Sequence, residues 1–114
     1  MAGDILKDAT RSKGDCAGVF EYDGDVGYFY LYETPPDRDS KVTGAIHVLT
    51  GASDFDESDV EIRWNADETV VGLLIRQRLW AAFDSTSERA HGGDYRPNVD
   101  PILPVTIASC FQTQ

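Results

Sequence analysis

The chain has 114 residues, 41% of them hydrophobic, with 20 acidic against 10 basic side chains and a formal charge of −10. That length suits one core rather than two, the apolar content excludes a disordered chain, and no run of about 18 apolar residues is present to span a membrane as a helix. The negative charge repels phosphate backbones, which argues against a nucleic-acid partner, and steers a basic protein toward the surface.

The N-terminal segment MAGDILKDATRSKG has no apolar stretch of signal-peptide length, since Asp4 and Asp8 interrupt it. It reads as the start of a cytoplasmic protein. Residues 1–14 are expected to be a flexible lead-in to one domain spanning 1–114, with a turn or two of helix in DILKDATRSK. From there the apolar pattern has period two rather than 3.6, which is the signature of strands. Strands are expected near 16–22 and 26–33. Asp23-Gly24 between them predicts a hairpin with a type I′ turn, because aspartate and glycine tolerate positive φ. Pro35 and Pro36 stop the second strand, since proline cannot donate to a ladder. A loop of roughly eight residues should follow it. Val42–Thr50 alternates and reads as a further strand, and the acidic 51–59 segment reads as a loop.

Residues 60–84, VEIRWNADETVVGLLIRQRLWAAFD, predict three antiparallel strands in a meander. Val60, Ile62 and Trp64 share one face. In the next strand both faces are apolar, with Val71, Leu73 and Ile75 opposite Val70, Gly72 and Leu74, which marks a central strand. Leu79, Ala81 and Phe83 then alternate with Trp80 and Ala82. Residues 85–101 hold Gly92-Gly93, two prolines and many polar side chains, and read as a long loop of the kind that often carries function. Val105–Phe111 predicts a last strand or a short helix. The expected fold is mainly β, a meander sheet of six or seven strands, curved or barrel-like, with little helix.

Few residues suggest chemistry. Cys16 and Cys110 lie in apolar contexts and read as free thiols. His47 and His91 have no cysteine or second histidine at ligand spacing, so no metal and no cofactor are expected. The acidic run Asp54–Asp59 lacks the glycine and terminal glutamate of a calcium loop. No nucleophile elbow, P-loop or dinucleotide motif is present, and no catalytic residue is assigned. Two groups stand out as binding candidates. Tyr28, Tyr30 and Tyr32 project from one side of one strand, with Tyr22 a candidate to join them across the hairpin. Beside Asp23, Asp25 and Glu33 they would form an acidic aromatic patch suited to a basic partner. His91, Asp94, Tyr95 and Arg96 lie in the 85–101 loop and would line any site that it builds.

Four segments, FEYDGDVGYFYLYE at 20–33, AIHVLT at 45–50, IRWNADETVVGLLIRQRLWAAFD at 62–84 and GGDYRPN at 92–98, resemble an uncharacterised bacterial family of small β-rich proteins, a domain of unknown function. The chain departs from that resemblance at Gln77-Arg78, where a glycine or asparagine is expected in the turn. The resemblance carries no catalytic residues. In overall character the chain also looks like the immunity proteins of bacterial toxin systems, which bind and neutralise a basic toxin domain, often a nuclease. Three functions follow as expectations. The first is a non-enzymatic module for a basic protein partner such as a toxin domain. The second is a ligand-binding or enzymatic domain using 85–101. The third is a structural protein that homodimerises through its tyrosines, so the chain is expected as a monomer or a homodimer.

Overall fold

The computed structural model describes residues 4–34, 39 and 41–111. Eight strands form two four-stranded antiparallel sheets. The first holds β1 (Ile5–Thr10), β2 (Cys16–Tyr22), β3 (Val26–Glu33) and β4 (Lys41–Thr50), in that spatial order. The second holds β5 (Val60–Trp64), β6 (Val70–Ile75), β7 (Arg78–Asp84) and β8 (Arg89–Gly92). The sheets stack face to face, with β1 against β5, β2 against β6 and β4 against β8. The expected single meander of six or seven strands is therefore corrected to two separate meanders, and neither closes into a barrel. The chain changes sheet across the acidic 51–59 segment. Its short 3-10 turn (Glu57–Asp59) is fastened by reciprocal bonds between Asp56 and Asp59.

Alternation builds the core. Phe20, Phe29 and Leu31 of the first sheet meet Val71, Leu73, Ile75 and Phe83 of the second, all at 1% exposure or less. Phe29 and Phe83 lie 5.2 Å apart between ring centroids. Burying each such ring contributes on the order of 2–3 kcal/mol. Two inward glycines make this approach possible. A Cβ on Gly18 would come within 2.7 Å of the Val71 side chain, and one on Gly44 within 2.7 Å of the Phe83 ring.

Residues Ile5–Thr10 form a strand in place of the expected flexible or helical lead-in. β1 pairs along its full length with β2, from Ile5 opposite Tyr22 to Thr10 opposite Ala17. The Trp64 indole donates to the Ala9 carbonyl at 2.9 Å, tying β1 to β5 across the sheets. At the same end, the Arg11 guanidinium holds Asp15 in a two-pronged pair at 2.7 and 3.0 Å. It also donates to the Glu68 carbonyl at 3.0 Å and lies over Trp64.

β6 is the central strand that its two apolar faces predicted. Its inner face meets the first sheet. Its outer face is covered by the C-terminal segment, which is helical: α1 (Val105–Ala108) continues into a 3-10 turn at Ser109–Phe111. Ile107 and Phe111 pack there on Val70 and Ala82. Gly72 leaves the space, since a Cβ on it would sit 2.9 Å from the Phe111 ring. Cys16 and Cys110 are both free, the first buried in the main core and the second half-buried in this outer layer. Pro35, Pro36 and Asp37 lie outside the described residues, so the expected strand stop falls there too. No helix among the described residues is long and apolar enough to cross a membrane.

Candidate functional site

The outer face of the first sheet is set by register. Residues directly opposite one another on neighbouring strands share a face, which orders that surface into three rows. The first runs Leu6, Glu21, Tyr28, His47; the second Asp8, Val19, Tyr30, Ala45; the third Thr10, Ala17, Tyr32, Val42. The tyrosine stripe therefore forms as expected, with Phe29 and Leu31 turned into the core. Tyr28 and Tyr30 stack at 5.8 Å with a 17° interplanar angle, and Tyr32 meets Tyr30 edge-on at 6.2 Å. The three rings are half-buried, while Leu6 and Val42 at opposite corners are 59% and 47% exposed. Burial, then the nearby Glu21 carboxylate, raises the Tyr30 phenol above its ordinary pKa, so that ring stays neutral at physiological pH.

Tyr22 is not part of this stripe. It lies opposite Gly27, is 1% exposed in the core, and donates its hydroxyl to the Gly51 carbonyl at 2.7 Å. Asp23 and Asp25 stand at the turn end of the stripe. Asp23 accepts the backbone N–H groups of Val26 at 2.8 Å and Asp25 at 2.9 Å, and these bonds lower its pKa. That arrangement replaces the expected type I′ turn: only Gly24 there has positive φ, at 93°. Glu33 sits at the other end of β3, about 23 Å away at 3.3 Å per residue. It alternates onto the opposite face from Tyr32, and its Oε2 is buried with no hydrogen-bond partner among the described residues. It neighbours Glu88, whose carboxyl it raises above the usual range. Glu33 therefore does not frame the aromatic patch with Asp23 and Asp25.

The 85–101 segment is not one loop. A tight turn at Asp84, whose carboxylate accepts the Thr86 N–H at 3.0 Å, leads into β8. His91 lies on β8 opposite Ala82. The chain then crosses between the sheets. Gly93 N–H donates to the Trp80 carbonyl at 2.8 Å, Asp94 N–H to that of His47 at 3.0 Å and Tyr95 N–H to that of Val48 at 2.6 Å. Asp94 and Tyr95 are thus parts of a strap that fastens β7 to β4.

The Asp94 carboxylate hydrogen-bonds His47 Nδ1 at 3.0 Å, and Thr50 Oγ1 meets Nε2 at 2.8 Å. This holds the imidazole edge-on to Tyr28 at 5.5 Å. The Tyr95 ring packs on Phe55 and Trp80, and its hydroxyl donates to Asp54 at 2.8 Å. Burial, reinforced by the Asp54 carboxylate, pushes the Tyr95 phenol up to about 12. Arg76 closes the cluster, 3.2 Å from Asp54 and 3.7 Å from Asp59. Arg96 is exposed beside a groove of about 380 Å³ shared with Trp80, Asp94 and Asp100; His91 does not line it. Sequence reasoning did not join His47, Asp54 and Arg76 to this strap, because they come from three separate segments with no shared spacing to Asp94 and Tyr95.

Among the described residues no cluster of three His, Cys, Asp or Glu side chains is placed to hold a metal ion. No curated protein and no solved structure matches the chain significantly. A family model described as "Uncharacterized protein conserved in bacteria (DUF2251)" matches residues 2–102, which takes in both sheets, the tyrosine rows and the strap, and the chain belongs to that family.

Proposed function

We propose that this protein is a non-enzymatic binding module that docks a basic protein on the tyrosine rows of its first sheet, in the manner of an immunity protein against a basic toxin domain. One observation carries the reading. The two outer faces of the sandwich are treated differently: Ile107 and Phe111 cover the second sheet, whereas the three tyrosines of the first each stay partly exposed, with Leu6 and Val42 59% and 47% exposed beside them. Tyrosine is the residue most at home in an interface core, with a rigid apolar body and a polar tip. The charge of −10 selects the partner's sign. It also weighs against a second copy of this chain, which would bring the same charge to the same face. The enzymatic reading of 85–101 is weaker, because Asp94 and Tyr95 are engaged in holding the sheets together and His91 does not line the groove beside Arg96.

The test is affinity capture followed by titration of the purified captured protein against wild type and Tyr30→Ser. The expected partner is basic. Its binding weakens about tenfold or more on Tyr30→Ser and falls as salt rises. A purified partner that binds both forms equally contradicts the proposal, and a homodimer in sedimentation that Tyr30→Ser abolishes replaces it with self-association.

A further inference from the structure

The tyrosine rows end in a groove of about 470 Å³, lined by Asp4, Ile5, Leu6, Glu21, Tyr22, Asp23, Val26, Tyr28 and Tyr30. Three features of it belong together. Its lining holds three carboxylates and no lysine or arginine. The exposed Glu21 stands between Leu6 and Tyr28 in the first row, and no ion pair engages it among the described residues, whereas Arg11, Arg63, Arg76 and Arg78 are each paired with a carboxylate elsewhere. Tyr28 and Tyr30, both in the lining, are stacked nearly parallel, so that two aromatic side chains stand beside that carboxylate.

We propose that this groove receives an arginine side chain of the docked partner, its guanidinium lying against Tyr28 and Tyr30 and pairing with Glu21. This rests on the reading of the tyrosine face as a docking surface and names the group that anchors there. Arginine fits better than lysine. A planar guanidinium stacks on aromatic rings and bonds a carboxylate with two parallel N–H groups, while an ammonium is a compact and strongly hydrated point charge. Leu6 and Val26 provide apolar surface for the methylene stem. Asp23 contributes field rather than contact, since its Oδ1 is already taken by two backbone N–H groups.

The test uses the full chain, labelled for backbone amide NMR and titrated with a tri-arginine peptide and, separately, a tri-lysine peptide. The expected result is a set of shifts centred on Leu6, Glu21, Tyr28 and Tyr30, with tri-lysine binding more weakly. Glu21→Gln and Tyr30→Leu should each weaken tri-arginine by about tenfold, and the shifts should vanish in about 0.5 M salt. Both positions face solvent, and retained amide dispersion reports that the variants fold. Absent shifts, shifts centred on the Tyr32 and Val42 row, or a Glu21→Gln protein that binds as tightly as wild type each overturn the groove and leave the docking face standing. The docking face itself is tested separately, and it fails when a purified partner binds Tyr30→Ser as tightly as wild type.

Discussion

Tyr95 is the side chain on which the strap depends. It is wedged between Phe55 and Trp80, 5.1 and 4.8 Å away, with its hydroxyl on Asp54. Its folded pKa of about 12 lies above the ordinary value of 10.0. A folded pKa raised above the unfolded one means that the native state keeps the proton longer. The stability this contributes is whole below about pH 10 and is lost as pH climbs toward about 12. Urea midpoints should therefore fall across that interval in wild type, and Tyr95→Phe should fall less steeply while starting lower at neutral pH. Equal slopes for the two proteins would show that Tyr95 is not the titrating group. Little of this was legible beforehand. In the sequence Tyr95 reads only as a binding candidate within 85–101; its carboxylate partner is 41 residues away, and Arg76 is not among the candidates.

At the scale of elements, the hairpins explain both what the sequence revealed and what it hid. The bounds of β2 and β3 follow directly from Cys16–Tyr22 and Val26–Glu33, because large apolar residues alternate with glycine and polar ones about a turn rich in Asp and Gly. β1 was hidden. In ILKDAT only Ile5 is a buried apolar residue, and charged Lys7 and Asp8 sit mid-strand, as suits an edge that must not recruit another chain. The division into two sheets was hidden as well, since period-two alternation looks the same within one sheet or two. The turn that seemed out of place at Gln77-Arg78 falls one residue earlier. Ile75 pairs with Arg78, and the two loop residues Arg76 and Gln77 both have positive φ, 52° and 69°. Two-residue hairpin loops of that hand favour Asn-Gly. Gln77→Gly, at an exposed position, should raise the stability by about 0.5–1 kcal/mol by relieving the left-handed backbone. Chemical denaturation measures it, and an unchanged or lower midpoint would mean that the side chain contributes something the backbone strain does not outweigh.

For the whole molecule the decisive property is asymmetry. One sheet is sandwiched between the core and the C-terminal helical segment; the other presents Tyr28, Tyr30 and Tyr32 with Leu6, Val19 and Val42 around them. On the proposed reading, the charge of −10 and this aromatic face together serve a basic partner. The most direct measurement is the amide hydrogen-exchange footprint of the complex with that partner. Protection should appear on β3, on β4 and on the neighbouring β2, with β6 and the C-terminal helical segment unchanged. A footprint on the second sheet or on 105–111, with β3 exchanging as in the free protein, would contradict the account.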